Sequence, residues 1–213
     1  MSNIVPKRPG ETSYKETAFG IIPRSKLIPL EIEGITKAWD FVLKKKEKGE
    51  LPLTPSFLKE VHNVGFGWIF PDLGGKYRTI EVKVSKHTPP EHYLITQLME
   101  EFFRDLQTRI RYLPNIDSQH SLDELISLLA WAHHKFLWIH PFQDYNGRMS
   151  RLLNNIILLN LDLPPIELKV ETTVGRKIYI HALQAADHLD YIELENIIKS
   201  AIHEAAQKLH STK

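Results

Sequence analysis

Residues 140 to 151 read HPFQDYNGRMSR, and residues 152 to 161 continue with the almost wholly apolar run LLNNIILLNL. A long apolar-striped helix precedes the polar stretch, and Pro141 prevents its simple continuation, because proline cannot extend a helix. The apolar run predicts a second helix, beginning near Gly147, that is apolar all round and therefore buried. The polar stretch is thus predicted to be a short loop held between two packed helices.

Helical periodicity recurs along most of the chain. The predicted helices cover residues 35 to 46, 55 to 64, 90 to 112 and 121 to 138, with one or two more after the Pro164-Pro165 breaker. Ser121 and Glu124 have the spacing of a capping box for the fourth of these helices. Alternation over residues 79 to 85 predicts one strand in a short hairpin. The predicted fold is therefore mainly α, a helical bundle with a short β-hairpin.

The chain length of 213 residues suits a single domain. We expect that domain over residues 31 to 205, preceded by an irregular arm over residues 1 to 30 and followed by a short tail over residues 206 to 213. The arm mixes proline, glycine, serine and charge without a period, which predicts little regular structure.

The composition excludes several classes of function. There are no cysteines, which excludes disulfides, thiolate metal sites and cysteine nucleophiles. The net charge of +1 and the absence of a strong basic patch argue against nucleic-acid binding. No signal-peptide core or run of about 18 apolar residues is present, so we expect a cytoplasmic protein without a membrane span.

Two arginines in the first turn of the second helix need an explanation, because the positive end of the helix dipole disfavours cations there. A bound phosphate supplies one, since Arg148 and Arg151 are spaced i, i+3 and would meet it together with free backbone N–H groups. The pair Asn146-Gly147 would allow a sharp turn that presents those groups. The spacing therefore predicts a phosphate site.

Three other side chains of the loop have distinct chemistry. Asp144 is the only acid and is the natural Mg²⁺ ligand beside a nucleotide. His140 is the natural general base for a hydroxyl that attacks phosphorus. Phe142 can do neither, and we expect it to anchor the loop in the core.

The stretch resembles the motif of the Fic family, HPFx(D/E)GNGRxxR, and matches it at every defined position except one. Residues 133 to 142 and 179 to 191 are similar to segments that flank this motif, so the resemblance covers roughly residues 50 to 200. It implies a Fic-fold helical bundle and a protein adenylyltransferase that moves AMP from ATP, with Mg²⁺, onto a Tyr, Ser or Thr hydroxyl of a target protein. It also implies the roles of His140, Asp144, Asn146, Gly147, Arg148 and Arg151 given above.

The segment GGKYRTIEVKV resembles the Fic flap, a hairpin that aligns an extended target segment by strand addition. The resemblance therefore implies that eight consecutive residues dock the target protein: Arg78, Thr79, Ile80, Glu81, Val82, Lys83, Val84 and Ser85.

The departure from the motif is Tyr145, where the family most often has glycine. If the position needs a positive φ, a tyrosine costs on the order of 1 kcal/mol and narrows the nucleotide site, unless its ring points to solvent or stacks on a ligand. Relief of such strain in Tyr145→Gly would raise activity.

Many Fic proteins are inhibited by a helix carrying (S/T)xxxE(G/N), whose glutamate pairs with the second arginine of the motif. Residues 32 to 34 resemble the end of this pattern, although Pro29 stands at the hydroxyl position. The match is weak, so an ordinary helix-start acid is the favoured interpretation of Glu33, with inhibition through Arg151 as the alternative. Without an internal glutamate, a separate small antitoxin-type protein would supply the inhibition and make this chain the toxin-like partner.

Other functions remain open at this point. A nucleotide- or protein-binding module that lost its transferase activity through Tyr145 is one of them. Transfer of another phosphate-linked group is a second, namely phosphoryl, UMP or phosphocholine. A metal site built from His133, His134 and His140 is disfavoured, because the spacing is not HExxH and Pro141 interrupts the helix.

Overall fold

The computed structural model describes residues 14–84, 87–170 and 172–211. Its described parts form one antiparallel hairpin, β1 and β2, and seven helices, α1 to α7. Their bounds are β1 Tyr14–Thr17, β2 Gly20–Pro23, α1 Arg24–Glu47, α2 Pro55–His62, α3 Ile95–Arg111, α4 Gln119–Ile139, α5 Asn146–Asn160, α6 Thr173–Ala186 and α7 Ile192–Ser211. The prediction of a mainly α fold is confirmed.

The helix α5 is the centre of the bundle. None of its residues is exposed, and it packs against both α4 and α1. A helix surrounded by others must be apolar on all sides, which is why the run from Leu152 onward has no polar stripe. The predicted burial of this helix is confirmed, and the loop before it is held by two neighbours.

Close packing joins α1 to a π-helical turn at Asn63–Gly67, directly after α2. A Cβ atom on Gly34 would lie only 2.2 Å from the carbonyl oxygen of Gly65. Only glycine allows the two backbones this approach. The contact fixes the rotation of α1 about its own axis. This rotation determines which α1 side chains face the loop between α4 and α5.

Side-chain caps begin three of the described helices, α2, α4 and α6, the last of them through Thr172. Thr54 accepts a hydrogen bond from the backbone N–H of Phe57 at 3.2 Å and caps α2, with Pro55 at the first helical position. Ser118 caps α4 and exchanges hydrogen bonds with Ser121. The capping box was predicted three residues too late, because Ser118 is the N-cap residue of α4 and Ser121 is its partner at the third helical position.

The structure differs from the sequence prediction at two further places. The predicted irregular arm contains the hairpin and the first turns of α1, which continues through Pro29. The predicted strand from residue 79 joins no ladder in the described ranges; instead, Val84 and His87 exchange backbone hydrogen bonds at 3.0 Å. Ser85 lies outside the described residues.

The same described stretches contain no helix that combines the length and the apolar character needed to cross a membrane.

Candidate active site

The loop between α4 and α5 is enclosed by two residues in the left-handed region. His140 ends α4 with φ 51° and ψ 58°, and Tyr145 precedes α5 with φ 68° and ψ 9°. Gly147 has no positive φ. The sharp turn expected at Asn146-Gly147 therefore lies at Tyr145, and the strain of a non-glycine residue there must be held by surrounding contacts.

Asn146 and Phe142 brace the loop from inside. The Oδ1 atom of Asn146 accepts from the backbone N–H of Phe142 at 3.0 Å, and its Nδ2 donates to the Phe142 carbonyl at 2.7 Å. The Phe142 ring is fully buried and stacks on His62 with ring centroids 3.9 Å apart. The prediction that Phe142 anchors the loop is confirmed.

His62 is a supporting residue that the sequence analysis missed. Its Nδ1 accepts from the backbone N–H of Gly75 at 3.1 Å, which leaves Nε2 to donate to the Asp144 carbonyl at 3.4 Å. Burial lowers the pKa of His62 to about 4, so the ring is neutral. No sequence signal singles out His62 beyond its place in an amphipathic helix.

The imidazole of His140 has the tautomer that a general base needs. Its Nδ1 lies 3.3 Å from the Leu137 carbonyl, an acceptor, so Nδ1 carries the proton and Nε2 is unprotonated. Burial lowers the pKa of His140 to about 4, against the opposing effect of the bond to Leu137. The ring is therefore neutral at physiological pH.

The carboxylate of Asp144 is partly exposed and already attracts a cation. Its Oδ1 accepts from the backbone N–H of Tyr145 at 2.8 Å, and its Oδ2 pairs with the ammonium group of Lys15 from β1. The hairpin predicted as an irregular arm thus reaches the loop and places a positive charge at the predicted metal ligand.

The N-terminus of α5 retains unused hydrogen-bond donors. Within the described chain, no protein acceptor binds the backbone N–H groups of Asn146 and Gly147, as expected at a helix start. The Nη1 atom of Arg148 is buried and also lacks a hydrogen-bond partner there. A buried donor without an acceptor is costly, and an anion would satisfy it.

A buried glutamate, Glu31 of α1, occupies the other side of the Arg148 guanidinium. Its side chain is 1% exposed, and its Oε2 pairs with Arg148 Nη2 at 2.7 Å. Its Oε1 accepts from Arg24 Nη1 at 2.6 Å and from the Tyr145 hydroxyl at 2.9 Å. The carboxylate therefore has three donors around it, which compensates the cost of burying the charge.

The predicted contact between Glu33 and Arg151 is wrong. The Glu33 carboxylate is 53% exposed and pairs with Lys37 one helical turn along α1, at 2.8 Å. Residues two positions apart on a helix point in nearly opposite directions, so only one of Glu31 and Glu33 can face the loop. Gly34, which completed the sequence pattern, serves the close contact with Gly65.

The Tyr145 ring is packed into the core and does not point to solvent. It is 8% exposed and stacks on Phe66 with ring centroids 3.8 Å apart and an interplanar angle of 6°. Burial, followed by the charge of Glu31, raises the pKa of its hydroxyl, which stays protonated and donates to Glu31. These contacts hold the left-handed backbone at this position.

His133 and His134 are hydrogen-bonding residues of the core. His133 is fully buried with its Nε2 2.6 Å from the Tyr179 hydroxyl, and burial lowers its pKa to about 3. His134 Nε2 lies 2.9 Å from a carboxylate oxygen of Asp187. In the described portion of the protein, no group of three or more histidine or acidic side chains could hold a metal.

A cavity of about 660 Å³ brings the predicted site residues together. His140, Asp144, Asn146, Gly147, Arg148 and Arg151 all line it. Residues of α6 form another part of its wall, among them Tyr179, Leu183 and Gln184. Its volume lies within the range of roughly 300 to 1,000 Å³ that is usual for small-molecule sites.

The predicted flap contains residues with two different environments. Five of its side chains are exposed and Val82 is half-buried: the exposed ones are Thr79, Ile80, Glu81, Lys83 and Val84. Arg78, in contrast, has a fully buried side chain. The Arg78 side chain therefore does not offer a contact to a target protein in this conformation. Docking at this position would use the backbone alone, as strand addition does.

Residues 52–158, half of the chain, match the model of the Fic/DOC family. The protein adenylyltransferase Fic of Drosophila persimilis is 34% identical over 142 residues, which are 66% of this chain and 25% of that protein. The solved structure of Fic-1 from C. elegans has a TM-score of 0.64 at 24% identity and covers 86% of this chain and 52% of its own. BepC from Bartonella tribocorum, solved with bound AMPPNP, has a TM-score of 0.66 at 14% identity, covering 91% and 94%.

The chain belongs to the Fic/DOC family, and its helical bundle is the Fic fold. It spans between 25% and 38% of the length of the curated relatives that it matches.

Proposed function

We propose that this chain is a protein adenylyltransferase that transfers AMP from ATP to a Tyr, Ser or Thr hydroxyl of a target protein. The observation that carries the proposal is a single cavity lined by a neutral histidine, a carboxylate, two arginines and a helix N-terminus with unbonded N–H groups. The names of the fly relatives agree with this chemistry, and the Bartonella neighbour holds AMPPNP in the same fold.

The nucleotide phosphates would lie at the N-terminus of α5. The backbone N–H groups of Asn146 and Gly147 and the unpartnered Nη1 of Arg148 can donate to their oxygens, with Arg151 on the same cavity wall. The Asn146 side chain is held by its two bonds to Phe142, so its backbone N–H, rather than its side chain, is directed at the anion. The first turn of α5 thus holds the phosphates by charge and by backbone geometry.

His140 would act as the general base. The hydroxyl oxygen of the target forms a bond to the α-phosphorus of ATP, and its proton moves to the unprotonated Nε2 of His140. The bond between the α-phosphorus and the bridging oxygen breaks, and pyrophosphate leaves with the electron pair. A pKa of about 4 keeps His140 ready to accept the proton across the neutral range.

Asp144 is suited to Mg²⁺, which commonly binds one or two carboxylates together with substrate phosphates. Its partly exposed carboxylate lies on the cavity wall and already pairs with the Lys15 ammonium. When bound, Mg²⁺ would neutralise charge on the phosphates. The backbone N–H of Tyr145 would hold the Asp144 carboxylate in place, while His62 holds the backbone carbonyl of the same residue.

The exposed side of the flap, beside His140, is the proposed docking surface for the target. Thr79, Ile80, Glu81, Lys83 and Val84 offer exposed side chains there. Extended segments commonly add to such an edge through main-chain hydrogen bonds.

Glu31 is our candidate for the inhibitory residue. It binds Arg148 at 2.7 Å and thereby competes with phosphate for one edge of that guanidinium. Because α1 itself provides this carboxylate, the proposal requires no separate antitoxin. If the chain bound nucleotide without transferring AMP, the contact between Glu31 and Arg148 would account for the missing activity. The Tyr145 ring would not account for it, because the ring is packed into the core.

The test is incubation of the purified chain with Mg²⁺ and ATP, followed by intact mass spectrometry for self-modification. We expect a gain of one AMP unit that Glu31→Gln increases and that His140→Ala abolishes, while ATP binding by His140→Ala stays within about twofold. A gain of one phosphate, UMP or phosphocholine unit from the matching donor would assign a different transfer. Equal transfer by His140→Ala and the parent would refute the base assignment.

A further inference from the structure

Arg78 connects the flap to the end of α4 through its guanidinium. Its Nε donates to the His140 carbonyl at 2.9 Å, and its Nη2 donates to the Pro90 carbonyl and, at 3.5 Å, to that of Ile139. Its Nη1 donates to the Ile80 carbonyl at 2.9 Å. One buried side chain thus binds the flap on both sides and the residue that carries the proposed base.

The second N–H group of Arg78 Nη1 also has an acceptor. Nη1 also lies 3.5 Å from a carboxylate oxygen of Glu81, so all five N–H groups of the guanidinium have an acceptor. The last carbonyls of a helix lack partners within it and carry partial negative charge, which stabilises a buried cation. The backbone N–H of Arg78 adds a bond to the Pro141 carbonyl at 2.9 Å.

These contacts act on a residue that needs support. His140 has a φ of 51°, a conformation that side-chain-bearing residues adopt only when neighbouring contacts enforce it. Its N–H donates to the Phe136 carbonyl at 3.0 Å, which fixes one side of the residue. The other side, its carbonyl, is bound by Arg78.

We propose that Arg78 is a positioning residue that holds the His140 backbone and the flap in one fixed relation, and that its side chain makes no contact with the target. The inference rests on the proposed function in taking His140 as the base and the flap as the docking surface. The Arg78 side chain would thereby align two groups, the acceptor segment that docks on the flap and the His140 imidazole that takes its proton. Arg78 does not line the nucleotide cavity, so ATP binding should not depend on it.

The test compares Arg78→Gln and Arg78→Lys with Arg104→Gln, an exposed arginine of α3 with no side-chain partner among the described residues. The acceptor is the His140→Ala chain at increasing concentration, which gives kcat and KM separately. We expect Arg78→Gln to lower kcat about 100-fold, the usual effect of displacing a catalytic group by about 1 Å, with ATP affinity within about twofold of the parent. Arg104→Gln should behave as the parent.

Two variants and a measurement without turnover keep the result decisive. Lysine offers three N–H groups on a single nitrogen and cannot reproduce the planar fork whose three nitrogens reach carbonyls on different segments, so Arg78→Lys should also lose most of kcat even if Arg78→Gln fails to fold. The nuclear magnetic resonance signals of the His140 ring should shift in Arg78→Lys and not in Arg104→Gln. An unchanged kcat, or a change confined to KM for the acceptor, would overturn the inference.

The ring signals also separate the two proposals. If the parent chain transfers no AMP, the proposed function fails, yet a His140 shift in Arg78→Lys would still support the positioning role. If the parent is active and the His140 signals are identical in all variants, the positioning role fails alone.

Discussion

Replacing Tyr145 by glycine tests how the left-handed turn is held. The family motif most often has glycine here, and relief of a φ of 68° alone would stabilise the fold by about 1 kcal/mol. Glycine also gains conformational freedom in the unfolded chain, which offsets most of that gain. The substitution removes a ring that is 8% exposed and stacks on Phe66 at 3.8 Å. Loss of a buried aromatic side chain costs about 3 to 5 kcal/mol.

The net expectation is a destabilisation of at least about 3 kcal/mol, which lowers the thermal midpoint by about 6 to 12 °C for a chain of this size. Thermal unfolding followed by circular dichroism measures it. Tyr145→Phe is the control, because it keeps the ring and removes only the hydroxyl that donates to Glu31, at a cost of about 1 to 2 kcal/mol. A Tyr145→Gly variant as stable as the parent would refute the conclusion that packing outweighs backbone strain.

Three further outcomes are expected. Glu31→Gln should tighten ATP binding and raise AMP transfer at least about tenfold, because the neutral amide competes only weakly with phosphate for Arg148. Isothermal titration with ATP measures the affinity, and an unchanged affinity would show that Glu31 is not the inhibitory residue. Lys15→Met should raise the Mg²⁺ affinity of the ATP complex, since it frees the Asp144 carboxylate, and titration of Mg²⁺ against a nonhydrolysable ATP analogue measures it without turnover. The free energy of unfolding should fall as the pH is lowered from about 6.5 to about 4, because histidines of the unfolded chain bind protons in this range and the buried neutral histidines of the folded chain do not. Urea unfolding at several pH values measures this, and a constant free energy of unfolding would contradict the prediction. The residues responsible are His62, His133 and His140, whose pKa values burial lowers to about 4, 3 and 4.

The sequence by itself determined the core of the fold and the position of the site. An apolar run with no polar stripe can only be a central helix, so α5 was predictable from residues 152 to 161. The polar loop before it had to lie between two packed helices, and this gathered His140, Asp144 and Arg148 in one place. These conclusions depend on local periodicity and on residue chemistry, which a sequence shows directly.

Only the tertiary structure decided which distant residues meet that loop. The sequence pattern pointed to Glu33, whereas the rotation of α1, fixed by the contact of Gly34 with Gly65, directs Glu31 inward. Whether Tyr145 faced solvent or the core depended on Phe66, 79 positions earlier in the chain. Helix rotation and side-chain direction are set by packing between segments far apart in the chain, and no local pattern records them.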